Sequence, residues 1–231
     1  LLILMLLLAT AQRIPSDIWW IRVSDFPHLQ MTVITAVCVI AIVILVPGWP
    51  RIKQVLPVLG VIAVLYQFYI IYPYTTLAPT TVEQADACSS SSLTILEANV
   101  YQKNREYGRF IEMVRNYDPD VVIALETDQS WTDTLQRALT NYPHVLKEPL
   151  DNTYGMILFS RVPFENARIE YRINEKIPSF TLDFNLSRQV RMYVVHPRPP
   201  SPSKSDSTTQ RDAELVLVGR DAKEVNSPVI V

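Results

Sequence analysis

Glycine is scarce in this chain: five residues in 231, of which only Gly108, Gly155 and Gly219 lie beyond residue 92. No GxGxxG and no GxxxxGK(S/T) can be assembled from them, so dinucleotide-binding and P-loop chemistry are excluded. A GxSxG nucleophile elbow is also absent. Cysteine is limited to two residues, Cys38 in an apolar segment and Cys88 in a polar one. They are not expected to pair, and no CxxC or Cys/His spacing suggests zinc. Basic stripes are missing as well. The net charge is −2, and the acidic excess lies in the second, soluble-looking part. That distribution argues against a duplex-DNA binder, which needs a positive footprint.

What the chain does have is an abrupt change of composition. Residues 1–74 are almost wholly apolar, and residues 93–231 read as an ordinary soluble domain. Three apolar segments, at about residues 1–12, 29–47 and 55–74, are expected to be transmembrane helices. The first is shorter than the roughly 20 residues a bilayer requires, and a signal peptide is its alternative reading, although no basic start and no small-residue cleavage site are evident. The third ends in Tyr66, Phe68, Tyr69, Tyr72 and Tyr74, aromatics of the kind that favour a membrane interface. Arg51 and Lys53 lie in the second loop, and residues 73–93 carry no Lys or Arg. The positive-inside rule then places the soluble domain outside the cytoplasm, with Arg13 and Arg22 arguing the other way. Residues 75–92, rich in Thr and ending in four serines, read as a flexible linker.

The soluble part alternates. Strands are expected over residues 93–100, 120–125, 155–160, 178–186, 190–195 and 228–231. Helices are expected over 106–117, 130–140 and 208–225, with a proline-rich loop at 197–207. Helices early and a strand-rich middle point to a layered α+β sandwich.

Chemistry-bearing side chains sit at strand ends. Glu126 follows five apolar residues, where a rigidly held carboxylate suits a hard divalent cation; alone, it reads more readily as a strand-terminal charge meeting water. Asn99 ends LTILEAN and could face a metal or a phosphoryl oxygen, or simply make a turn. Glu97 lies two residues earlier and reads as exposed. His196 follows VRMYVV and precedes a rigid loop, a position suited to phosphate contact or proton donation. His28 and His144 read as bland, the first near a membrane interface and the second in an Asn-Tyr-Pro turn. Tyr154 could reach a phosphate or pack at a turn. Arg161 and Arg198 are candidate anion contacts or solvated charges.

The ordered series ANV, PDVVIALE, NTYGMILFSR, VVHPRPP and SPVIV resembles the endonuclease/exonuclease/phosphatase superfamily, most closely its bacterial membrane-anchored members. The resemblance implies an α+β fold, a four-layer α/β sandwich of two facing β-sheets flanked by helices, here preceded by three transmembrane helices. It implies Mg2+ (or Mn2+) dependent phosphoester hydrolysis, with Glu126 the principal metal ligand and Asn99 in the metal and phosphate site. His196 would be at the scissile phosphate and Tyr154 a weaker catalytic candidate. Implied partners are the lipid bilayer and a phosphoester substrate: a lipid headgroup, a small phosphodiester or nucleic acid. No obligate protein partner is evident, and the implied location is the bacterial inner membrane. The family continues after PVIV with Gly-Asp-x-Asn and later Asp-His. Neither occurs in these 231 residues, so only the N-terminal part of the hydrolase domain, residues 93–231, is expected, with no appreciable turnover from the chain as it stands. The alternative reading is a non-catalytic membrane-anchored scaffold with a degenerate hydrolase-like fold.

Overall fold

A computed structural model describes residues 1–11, 13–45, 55–80, 92–199 and 207–231. Arg51, Lys53 and Cys88, most of the linker and much of the proline-rich loop lie outside the described residues. The chain divides into two compact units, Leu1–Asp86 with Pro199–Thr208, and Ala87–Arg198 with Thr209–Val231.

The first unit is helical: α1 (Leu2–Ala11), α2 (Trp19–Arg22), α3 (His28–Leu45) and α4 (Val55–Ile71). Two stretches, His28–Leu45 and Val55–Tyr74, are long and apolar enough to cross a membrane, whereas α1 has ten residues, short of a span. All three expected segments are therefore helices, and two of them have spanning length. Their meeting point is Gly60: a Cβ there would lie 2.4 Å from Val39 Cγ2 on α3 and 3.3 Å from Leu2 Cδ1 on α1. Gln67, fully buried on α4, accepts a hydrogen bond from Thr32 Oγ1 on α3 at 2.9 Å. Such a bond suits helices packed without water.

The second unit carries two mixed four-stranded sheets. The first has β1 (Ile95–Asn99), β2 (Val121–Leu125), β3 (His144–Glu148) and β4 (Met156–Ser160) in the order β1-β2-β4-β3. The second has β5 (Phe164–Glu170), β6 (Ser179–Asn185), β7 (Gln189–Val195) and β8 (Val229–Ile230) in sequence order. β1 and β2 are parallel, as are β7 and β8; the other pairs are antiparallel. The fully buried β2 shows why VVIAL reads as one apolar run. Its odd-numbered residues Val121, Ile123 and Leu125 pack toward Phe180, Leu182 and Phe184 of the facing sheet. Its even-numbered Val122 and Ala124 pack with α5 (Tyr107–Tyr117) and α6 (Gln129–Ala138) around Trp131, Leu135 and Phe159. α5 ends where Asp118 turns left-handed, at φ 45°.

Two strands depart from the sequence expectation. His144 lies in β3, opposite Ser160, rather than in a turn. β5 falls in a stretch to which the sequence assigns no element: most of FENARIE is exposed, and its pairing is interrupted between Glu165 and Arg168. Neither strand shows the clean two-residue alternation that marks a half-buried strand.

α6 is held at its start by Asp128, which accepts from the Trp131 N–H at 2.9 Å and from Arg105 at 2.7 Å. Burial pushes the Asp128 carboxyl up, but these bonds outweigh it and hold the group below the usual range. Asp128→Ala should cost about 1–2 kcal/mol, the loss of an N-cap. Urea unfolding of the protein checks this, and an unchanged midpoint would contradict it.

α7 (Thr209–Glu224) is tied to the second sheet by an Arg172–Asp221 ion pair, and Arg172 also bonds Glu170 and Thr181. Glu214 on α7 is 4% exposed, and its Oε1 has no hydrogen-bond partner among the described residues. Burial pushes the Glu214 carboxyl up, against a smaller opposing pull from Arg172. The sign of the pH dependence follows. Below the ordinary glutamate value the group is protonated in both folded and unfolded chains. As pH rises, the unfolded chain ionises first, and stability is lost until the folded group titrates too. Glu214→Gln should therefore stabilise the protein at pH 8 and do little at pH 4. An equal gap between variant and parent at both pH values in denaturant unfolding would contradict this.

Candidate active site

Four strands meet at one edge of the sandwich: β1, β2 and β7 end there and β4 begins there. Asn99, the last residue of β1, pairs in register with Leu125, and Val100 N–H donates to Leu125 O at 3.0 Å. The parallel register thus delivers Asn99 beside Glu126. β4 runs antiparallel to β2 with Met156 opposite Leu125, which brings Tyr154 and Gly155 to the same end. His196 follows directly on β7.

The side chains converge on Glu126. Asn99 Nδ2 donates to Glu126 Oε1 at 2.8 Å. His196 Nε2 stands 3.7 Å from the same oxygen. The Tyr154 ring lies 5.6 Å from the His196 ring, tilted by 51°. Burial pushes the Tyr154 phenol up from its ordinary value, Arg198 pulls it down, and Glu126 adds to the rise. At neutral pH the phenol therefore keeps its proton, and Arg198 is close enough to be felt electrostatically.

Glu126 has a left-handed backbone, φ 62°. For a residue with a Cβ this conformation costs of order 1–2 kcal/mol. The bend turns the chain out of β2 and leaves the side chain 17% exposed. The next residue, Thr127, is fully buried; its N–H donates to Gly155 O at 2.9 Å and its carbonyl accepts from Leu150 N–H at 3.2 Å. Gly155 is required here, because a Cβ would lie 2.0 Å from Thr127 O and 2.4 Å from Leu150 N. The loop before it is stapled by Gln102 Nε2 donating to Leu150 O at 2.8 Å, and Asn152 Oδ1 accepts from Tyr154 N–H at 3.0 Å. Sequence reasoning missed these supports; the one available signal was a lone glycine opening a strand.

All four expected site residues, Asn99, Glu126, Tyr154 and His196, are brought together, with Arg198 near them. Glu97 is exposed and lies on a different cleft, beside Ile95 and Ile230. Arg161 is excluded from the site: it pairs with Asp118 and stacks over Tyr142 at 4.7 Å. His144 is also elsewhere, 6.0 Å from the Phe164 ring.

The donor set is hard. Among the described residues no three His, Cys, Asp or Glu side chains form a metal cluster. One accessible carboxylate remains, which matches the usual Mg2+ arrangement of one or two carboxylates completed by water and substrate phosphate. Asn99 presents its amide nitrogen to Glu126, while its oxygen accepts from Tyr101 N–H at 2.9 Å. In this arrangement the amide orients the carboxylate.

The sequence model of the Endonuclease/Exonuclease/phosphatase family matches residues 96–231. No curated protein matches the chain by sequence. Among solved structures, a D. rerio TDP2 carrying 14 humanizing mutations is 17% identical, with 61% of this chain and 60% of that chain covered and a TM-score of 0.52. D. rerio TDP2 with a single-strand DNA product is 17% identical, covering 59% and 57%, at 0.48. The endonuclease/exonuclease/phosphatase from Bacteroides vulgatus is 13% identical, covering 58% and 60%, at 0.47. The chain thus spans about 60% of the length of the first of these structures, and at this identity the likeness is one of fold. With two facing mixed sheets and a family match over more than half its length, the chain belongs to the endonuclease/exonuclease/phosphatase family.

Proposed function

We propose that the protein is a membrane-anchored, Mg2+- or Mn2+-dependent phosphoester hydrolase. The observation that carries this reading is the convergence of Asn99 and His196 on one oxygen of the partly exposed Glu126 carboxylate. Family members typically depend on a metal, and Glu126 is the residue that would hold it here. The ion would neutralise charge on the phosphoryl oxygens. Asn99 fixes the Glu126 carboxylate in place; its own oxygen would become a metal or phosphate ligand only after the amide turns over. His196 stands beside the carboxylate to donate a hydrogen bond to a phosphoryl oxygen. Tyr154, protonated at neutral pH, offers a second donor, and the positive charge of Arg198 favours an anionic substrate. Neither a Gly-Asp-x-Asn nor an Asp-His pair occurs in the sequence, so alignment of the attacking water is assigned to no residue of this chain.

The two spanning-length helices anchor the domain at a bilayer. By the positive-inside rule applied to Arg51 and Lys53, the hydrolase domain faces away from the cytoplasm of a bacterial inner membrane. The substrate class is a phosphoester: a lipid headgroup, a small phosphodiester or nucleic acid. The test is hydrolysis of bis(p-nitrophenyl) phosphate by the detergent-solubilised protein with Mg2+ and with EDTA. Mg2+-dependent turnover is the result this reading calls for, and it would overturn the sequence expectation of no appreciable turnover. Turnover indistinguishable from buffer under both conditions would favour the scaffold reading instead.

A further inference from the structure

The helical unit contains a groove that neither its packing nor the hydrolase reading uses. It lies between α1 and α4 and encloses about 390 Å3. Its walls are Leu6 and Ala9 from α1 and Leu59, Ile62 and Ala63 from α4. At one end stands Arg13, just past the end of α1. The exposed Arg13 side chain lies over the Tyr66 ring, with the guanidinium carbon 4.3 Å from the ring centroid. The stack fixes where the charge sits without neutralising it. Arg22, the other cation of this stretch, is committed to Asp25 and to the Ser16 carbonyl.

A long apolar trough with one cation at its mouth is complementary to an amphiphile with one anionic end. A purely apolar occupant leaves the guanidinium without a partner, and a soluble anion leaves the trough uncovered. We propose that this groove binds one anionic phospholipid, its acyl chain along Leu6, Leu59 and Ile62 and its phosphate on Arg13.

The proposal rests on the membrane reading of these helices, and the experiment separates the two. Flotation of the full chain with phosphatidylcholine vesicles tests membrane association alone; failure to float overturns both readings. Native mass spectrometry of the detergent-released chain, offered equal phosphatidylglycerol and phosphatidylcholine, then tests the site. One retained phosphatidylglycerol is expected, with a preference of about fivefold, the size of one interfacial cation–anion contact. Arg13→Gln should abolish the preference and Arg13→Lys should keep it. Ile62→Trp, which fills the groove and leaves the charge in place, should remove the retained lipid. A chain that floats but shows no preference, or keeps it in Arg13→Gln, overturns this proposal and leaves the membrane reading standing.

Discussion

Replacing Glu126 with glutamine should reduce Mg2+-dependent phosphoester hydrolysis by at least about 10²–10³-fold, to background. A preorganised charge at the reacting centre is worth that much, and here one carboxylate carries it. The amide is nearly isosteric, so the substitution puts at risk the Asn99 hydrogen bond at 2.8 Å and the His196 approach at 3.7 Å but not the packing around them. The backbone of Glu126 supplies a second readout that does not depend on turnover. At φ 62°, Glu126→Gly should be more stable than Glu126→Ala by about 1 kcal/mol, because glycine has no Cβ to clash in the left-handed region. Parallel denaturation of the two variants checks this. A less stable glycine variant would mean that the bend is not strained and that the site is not built around it.

The second large effect belongs to a residue with no functional group. Gly155→Ala places a methyl 2.0 Å from Thr127 O and 2.4 Å from Leu150 N. Both neighbours are backbone, held by Thr127 N–H to Gly155 O and Leu150 N–H to Thr127 O, so neither yields as a side chain would. The variant should lose about 3 kcal/mol, the upper end for overpacking. Because Thr127 follows Glu126 directly, the carboxylate should also move out of reach of Asn99 and His196. The expected signature is a lower unfolding midpoint together with weakened metal binding. Normal stability would contradict the close approach on which the site depends.

The sequence revealed much of this arrangement, and for reasons that can be named. DVVIAL reads as a buried strand because both faces of β2 are covered, and the charge that ends it is conspicuous. Asn99 and His196 stand out for the same reason, as polar residues closing apolar runs. What stayed hidden depends on partners distant in the chain. The requirement for glycine at 155 comes from the carbonyl of Thr127 and the amide of Leu150, which the sequence does not place beside it. The orientation of Asn99 is settled by the Tyr101 N–H. Arg161, which reads from sequence as an anion contact or a solvated charge, is occupied by Asp118 and Tyr142. β3 and β5 escaped because both are edge strands with polar or half-exposed residues, so neither shows an alternating pattern. In the helical unit, apolar length made three helices legible, and only two reach spanning length.

The most direct measurement is a Mn2+ titration followed by electron paramagnetic resonance, on the full chain and on Glu126→Gln, because it does not require turnover. The account predicts that the full chain takes up one Mn2+ that Mg2+ displaces, and that Glu126→Gln weakens this binding by about 100-fold or more, at least the loss seen when a supporting group around a metal is removed. Equal Mn2+ binding by the full chain and Glu126→Gln would contradict it.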